Sequence, residues 1–208
     1  MGEAVTVREA AAADLDAAVA LWTFSHVVRR NGRPLPEAHI ASVHERMASP
    51  EALVLLAHDL DDGDGGDGED GGETDRASDR EPDGGLGQEP DKEPDKESEH
   101  DFGIIGTIMG VQGRDEDGAG PPVAGLIHIS LLSVAPDRWG QHIGRLLVEE
   151  TIKRAVARGF DQAQLWTHAD NLRANRLYKA MGFRRSGRVK VDDWGELLVH
   201  YRRALIPV

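Results

Sequence analysis

Hydrophobic and polar residues alternate along residues 5–8, which predicts a short strand. The spacing then lengthens: Leu15, Ala18, Val19 and Trp22 recur at helical intervals behind Asp14, a candidate N-cap, and a second helix is expected after Pro36. Residues 53–57 are continuously apolar and predict a buried strand, while residues 104–111 and 126–134 read as further strands, the latter closed by Pro136. Between positions 141 and 158, Gly144, Leu147, Val148, Thr151, Ile152 and Ala155 share one helical face, with Arg145, Glu149 and Lys153 opposite, so this helix should pack on a sheet. Residues 164–167 predict a strand and residues 172–181 a helix stopped by Gly182; two last strands flank a turn at Trp194 and Gly195. The predicted order is strand, two helices, three strands, helix, strand, helix, two strands, which is an α/β layer fold with a mixed sheet.

One region breaks this pattern. From Asp59 to Asp101 there are 19 acids against 4 bases, with only Leu60, Ala77 and Leu86 as aliphatic residues, and Glu-Pro-Asp-Lys occurs at 89–92 and again at 93–96. Such a segment buries too little apolar surface to offset its chain entropy, so a disordered acidic insertion is expected at about residues 60–100, between the second and third strands of a single domain spanning 1–208. It reads either as a docking tail for basic partners or as a solvated hairpin insertion. The formal charge of -13 therefore belongs to the insertion: the other residues carry 18 acids and 20 bases. Without a basic face, nucleic acid is not an expected partner. The absence of cysteine excludes disulfides, thiolate metal sites and cysteine nucleophiles. The opening MGEAVTVREA has no basic start followed by an apolar core, and the longest apolar run, residues 52–57, is far below the ~20 residues of a membrane span; a cytoplasmic protein with no membrane partner is expected.

Two local units carry chemistry. Where the strand breaks at Pro136 and re-enters a helix through Trp139, Gly140, Gln141, His142, Ile143, Gly144 and Arg145, unpaired N–H groups should gather at the positive end of a helix dipole, the arrangement of a pyrophosphate cradle. Gly140 and Gly144 would permit close approach and Arg145 would add a cation, although many helices begin after such a turn without a ligand. Further on, Asn171 and Tyr178 are seven residues apart, which on one helix face puts them roughly 10 Å apart along the axis. Asn171 could donate to and accept from a ligand amide, and Tyr178 could protonate a departing thiolate, or could be a packed aromatic.

Together the Val134-x-Pro136 break, the loop from Gly140 to Arg145 and the run Asn171-x-x-Ala174-x-x-Leu177-Tyr178-x-x-x-Gly182-Phe183 resemble the GNAT superfamily of acyl-CoA-dependent N-acyltransferases. The resemblance implies a mostly antiparallel sheet of six or seven strands, splayed between the fourth and fifth, with about four helices on both faces. It implies acetyl-CoA as co-substrate and no metal. Backbone groups of Leu132, Ser133 and Val134 would bond the pantetheine arm. The amides of Gly140, Gln141, His142, Ile143, Gly144 and Arg145 would hold the pyrophosphate, Asn171 would bond the arm, and Tyr178 would be the general acid. The implied reaction is transfer of an acetyl group to a primary amine of a small molecule or peptide by direct attack in a ternary complex.

The sequence departs from the family pattern in two places. Trp139 stands where the loop usually has Arg or Gln, and His142 replaces its middle glycine; if position 142 needs a positive φ, histidine tolerates this better than a β-branched residue. Trp166 stands five residues before Asn171, where protein-acetylating relatives often carry Glu, which leaves the base open between His168 and His128, each of them also readable as a structural histidine. The resemblance puts the acceptor near residues 25–36 and 188–196. There Asp192, Asp193 and Glu196 could attract a cationic amine beside Trp194, or could be ordinary turn residues. These departures keep a second reading open, a catalytically degenerate acyl-CoA sensor or interaction module. The oligomeric state stays open as well, a homodimer included.

Overall fold

The apolar periodicities become elements close to where they predict them. A computed structural model describes residues 5–59 and 103–205, so the acidic insertion and its expected disorder lie outside the described residues. Strand β1 (Val5–Glu9) leads to helices α1 (Leu15–Arg29) and α2 (Glu37–Met47), then to strands β2 (Leu53–Asp59), β3 (Gly106–Arg114) and β4 (Pro122–Val134). Helix α3 (Ile143–Ala157), strand β5 (Gln162–His168), helix α4 (Leu172–Ala180) and strands β6 (Arg184–Val191) and β7 (Leu197–Ala204) follow. The seven strands form one sheet in the order β1-β2-β3-β4-β5-β7-β6, antiparallel at every pair except β4–β5. This is the mixed, mostly antiparallel sheet expected, with four α-helices among the described residues. None of those helices is long and apolar enough to cross a membrane.

Helices cover both faces, and that explains why β2 is apolar throughout. Its residues Leu53, Leu55 and Ala57 enter the core under α3 and α4, while Val54 and Leu56 enter a second core under α1 and α2. On the α3 side, the face read from the sequence is buried through Leu147, Val148 and Ala155, and buried Thr151 satisfies its hydroxyl on the Leu147 carbonyl at 2.8 Å. The second core takes residues from β2, β3 and β4 but none from β5, β6 or β7. The far half of the sheet is therefore not covered by α1 and α2.

Strands β4 and β5 pair in parallel only from Leu126–Gln162 to Ile129–Leu165. Beyond that step β5 continues with β7 as far as His168–Leu198, whereas β4 continues with β3. The cause of the parting is local. Between Thr107–Ser133 and Met109–Ser130, β4 has one residue more than β3, and Leu131 takes the left-handed conformation at φ 54°. A bulge bends its strand and re-aims it, here away from β5. A leucine at positive φ costs about 1–2 kcal/mol, which the packed strands around it must offset.

Three sequence expectations need correction. Asp14 does not cap α1 with its side chain; its carboxylate accepts from the Ala11 N–H at 2.6 Å and from the Arg8 guanidinium at 2.7 and 2.8 Å, closing the short turn before the helix instead. The Arg8 hydrogen bonds, against a smaller effect of burial, bring its pKa down to about 2. Helix α3 starts at Ile143 and not at 141, because His142 is left-handed and joins the helix only through its carbonyl, which accepts from Leu146 at 3.1 Å. Strand β4 starts four residues early, at Pro122, a position where a strand tolerates the missing N–H.

Candidate functional site

The parted end of β4 turns at Pro136 into the loop that enters α3. Gly140 lies at φ 90° and His142 at φ 65°, ψ 5°, so position 142 does need a positive φ, and the histidine accepts it. Among the described residues, the N–H groups of Gly140, His142, Ile143 and Gly144 meet no backbone acceptor. Those of Gln141 and Arg145 bond to the carbonyls of Arg138 and His142, so two of the six amides implied by the resemblance are used inside the loop. The remaining four stand at the N-terminal end of a 15-residue helix, where the dipole favours an anion. The Arg145 guanidinium is paired with Glu149 at 2.8 Å, and both side chains are exposed; such a pair is worth little, so Arg145 can exchange partners.

Gly144 shows how the units meet. A Cβ built there would stand 3.5 Å from Leu177 Cδ2, 3.8 Å from Val134 Cγ2 and 3.9 Å from Leu132 Cδ2, so the first turn of α3, the parted end of β4 and the middle of α4 converge on one point. Those are ordinary contact distances, and Gly144 is not demanded by crowding within the chain. Trp139 supplies a link of its own. Its Nε1 donates to the Val134 carbonyl at 2.8 Å and its ring lies 4.1 Å beneath the Arg173 guanidinium at the start of α4. Ser25 Oγ donates to the same carbonyl at 3.0 Å. The Val134 oxygen is thus already engaged.

Asn171 caps α4, its Oδ1 accepting from the Ala174 N–H at 3.1 Å. The side chain therefore offers its Nδ2 donor outward and not both groups. It also sits outside the helix at ψ 76°, so the spacing to Tyr178 is not the two helical turns inferred from the sequence. Tyr178 itself is 6 % exposed, with its ring 5.8 Å from Phe183 and 6.2 Å from Tyr201. Burial pushes its pKa above the ordinary tyrosine value, so the phenol holds its proton at neutral pH.

His168 ends β5. Its Nε2 stands 3.3 Å from Asp192 Oδ2 and 3.1 Å from Glu196 Oε2, both from the β6–β7 turn. A hydrogen on Nε2 satisfies these carboxylates and leaves the lone pair on Nδ1. The three side chains have the ligand types of a divalent-cation site and lie within 4.8 Å of one another. Positive charge is already supplied, however: Glu196 accepts from Arg29 at 2.9 Å and pairs with Arg30 at 3.1 Å. Asp192 accepts from the N–H groups of Trp194 and Glu196 at 3.0 and 2.8 Å. For both acids burial acts against the charge, but these donors outweigh it and their pKa values fall below the ordinary range. Two of the three acids expected to attract a cationic amine are therefore held inside the fold, and Trp194 packs under Arg30 at 4.8 Å and edge-on to His39 at 4.5 Å.

The sequence pattern of the acetyltransferase (GNAT) family matches residues 68–183, more than half of the chain. The chain belongs to this family. A mycothiol acetyltransferase of Kineococcus radiotolerans is 44% identical over 62 residues, 30% of this GNAT chain and 20% of that protein. The peptidyl-lysine N-acetyltransferase YjaB of Salmonella typhimurium is 38% identical over 71 residues, 33% of this chain and 44% of its own length. The chain thus spans less than half of the curated relatives it matches. A GCN5-related N-acetyltransferase from Kribbella flavida shares the fold with a TM-score of 0.60 at 19% identity, covering 97% of this chain and 98% of that one. The PaiA N-acetyltransferase from Thermoplasma acidophilum, solved in complex with coenzyme A, has a TM-score of 0.54 at 15% identity, covering 96% of this chain and 99% of its own.

In this GNAT chain the residues that sequence reasoning missed are the ones that hold the site in place. Buried Asn175 donates to the carbonyls of His168 at 2.9 Å and Asn171 at 2.8 Å, and accepts from Tyr201 Oη at 2.8 Å and Arg185 at 3.3 Å. It ties the end of β5, the start of α4 and strand β7 together. A polar residue inside a helical run is the one signal that could have found it. His26 was also overlooked: burial first, then Arg29, lowers its pKa to about 4. His128, weighed as a base, is lowered to about 4 as well, by burial and then by Arg46, Lys190 and His200, so it stays neutral but takes a proton weakly.

Proposed function

We propose that the chain is a cytoplasmic N-acetyltransferase with one catalytic domain, interrupted by the acidic insertion, that transfers an acetyl group from acetyl-CoA to a primary amine of a small molecule or peptide by direct attack in a ternary complex. The observation that carries this reading is the parting of β4 and β5 beside four unbonded amides at the start of α3. A phosphorylated, extended ligand fits such a slot: the amides of Gly140, His142, Ile143 and Gly144 and the Arg145 guanidinium would hold its phosphates, with Leu132, Ser133 and the Asn171 Nδ2 along its arm. The coenzyme A complex of a protein with the same fold supports that choice.

Bound acetyl-CoA supplies an activated thioester carbonyl. The chain's own residues supply position and proton movement. Tyr178 keeps a proton on its phenol oxygen for delivery to a leaving sulfur. His168, its ring oriented by Asp192 and Glu196, can accept the amine proton on Nδ1, directly or through water. Calorimetry with coenzyme A, paired with free-thiol release from acetyl-CoA over an amine panel, tests the proposal. Micromolar to millimolar binding with amine-dependent thiol release is expected. Binding without release from any amine would favour the sensor reading, and no binding at millimolar coenzyme would end both.

A further inference from the structure

Where the cover of α2 ends, a cavity of about 340 Å³ is lined from β3, β4, β5 and β6, and its charged side chains are of one sign. Arg46 reaches it from α2, Arg114 from β3 and Lys190 from β6, while His128 and Gln164 form its floor and Trp166 one side. No aspartate or glutamate lines it among the described residues. Among the described residues none of the three cations is in an ion pair: Arg46 donates to Ser130 Oγ at 3.3 Å, Arg114 to the Gly120 carbonyl at 2.9 Å, and Lys190 Nζ stands 4.7 Å over the Trp166 ring. Three cations around one concave space repel one another and focus a positive potential into it, and a bound anion would relieve both effects. His128 feels that field, since Arg46 and Lys190 help burial to hold it neutral.

The cavity is also well placed. His128 and Gln164 face each other across the β4–β5 pair, one step before the last paired residues, Ile129 and Leu165, so the cavity adjoins the point where the strands part. Trp166 stands where the resemblance would put a glutamate base, and its ring face supports Lys190 instead.

We propose that the acceptor is an amine that also bears an anionic group, which seats among Arg46, Arg114 and Lys190 against Trp166; this rests on the acetyl-transfer reading and names the substrate class of that site. The anion makes charge-assisted hydrogen bonds with the three side chains, and its chain carries the amine toward the parted strands.

The test compares ω-amino acids, from glycine to aminohexanoate, with alkylamines and diamines of matched length, as kcat/KM for thiol release by the full chain. The best carboxylate-bearing amine should exceed its matched alkylamine by about ten- to hundredfold, the worth of one or two charge-assisted hydrogen bonds. Lys190→Gln and Arg114→Gln should each bring that ratio toward one, and Lys190→Glu should turn the preference to diamines. Unaltered calorimetric affinity for coenzyme A shows that each variant is folded. Alkylamines or diamines matching the amino acids, or a ratio unmoved by Lys190→Glu, would overturn the inference while leaving acetyl transfer standing. Failure to bind coenzyme A removes acetyl transfer and this inference with it.

Discussion

The loop between β4 and α3 and the cavity between α2 and β6 flank the same strand pair, yet they offer a ligand different things. The first presents main-chain N–H groups from within Gly140 to Gly144; the second presents side chains drawn from α2, β3, β4, β5 and β6. Main-chain donors are carried by every residue except proline, so the loop can keep its proposed role with Trp139 and His142 in unusual positions. A wall of side chains has no such tolerance, and one charge reversal rewrites it. A coenzyme shared across a family suits the first kind of site, and an acceptor particular to one chain suits the second.

The largest effect is expected at Tyr178, in the core under α3 and α4. Tyr178→Phe keeps the ring packed against Phe183 and Tyr201 and removes only the hydroxyl. Loss of a general acid should lower kcat by about 10²- to 10⁴-fold. Coenzyme affinity should stay within about twofold, because the proposed phosphate donors are untouched. Turnover and pH–rate profile equal to the parent's would remove Tyr178 from the chemistry and leave it a packing residue.

The next largest effect concerns what aligns the two regions. Asn175→Ala would remove the second donor to the His168 and Asn171 carbonyls, which keep their backbone donors, and would leave the buried Tyr201 hydroxyl without its acceptor. An unsatisfied buried group costs about 1–3 kcal/mol, so a loss of about 2 kcal/mol is expected, read as a drop in melting temperature of roughly 4–8 °C. Were the drop below about 2 °C, water would be replacing the amide and the hub would not be the link between β5, α4 and β7.

Most of the fold was legible because its signals are local. Periodicity placed β2, α3 and α4, and the Gly140 to Arg145 run marked the loop whose amides are left without backbone acceptors. What was not legible depends on partners far away in the chain. Nothing about Leu131 suggests a left-handed bulge; the register of β3 and β4 imposes it, and with it the parting of the strands. Asp192 and Glu196 read either as a lure for a cation or as ordinary turn residues; Arg29 and Arg30, some 160 residues earlier, take up Glu196, and the turn's own amides take up Asp192. Arg46, Arg114 and Lys190 are scattered across the sequence and become one wall only on folding.

Acid should reveal the side-chain region before the main-chain one. His26 and His128 titrate at about 4 in the fold against an ordinary 6.5. Their folded pKa values are depressed, so the unfolded chain binds more protons; the stability they support is present above pH 6.5 and is lost progressively as pH falls to about 4. Melting temperature should decline across that window, and His128→Gln should flatten part of the decline. A slope identical in parent and variant would mean that His128 is not held neutral by the cavity. Asp14, depressed to about 2, acts lower still, its contribution being lost as pH falls from about 4 toward 2.

The smallest effect is the most specific to the main-chain half. His142 holds φ 65° without a side-chain cap bond, so His142→Gly removes left-handed strain of about 1 kcal/mol while adding a comparable entropy to the unfolded chain. Stability should move by less than about 1 kcal/mol, and coenzyme affinity by less than about twofold, because the N–H proposed to hold phosphate is unchanged. His142→Val separates backbone from side chain: a β-branched residue at that φ should cost about 1–2 kcal/mol or distort the loop, and coenzyme affinity should fall with it. A tenfold loss of affinity in His142→Gly, with stability intact, would instead mean that the imidazole itself binds phosphate, and the contrast between a main-chain cradle and a side-chain wall would no longer hold at this position.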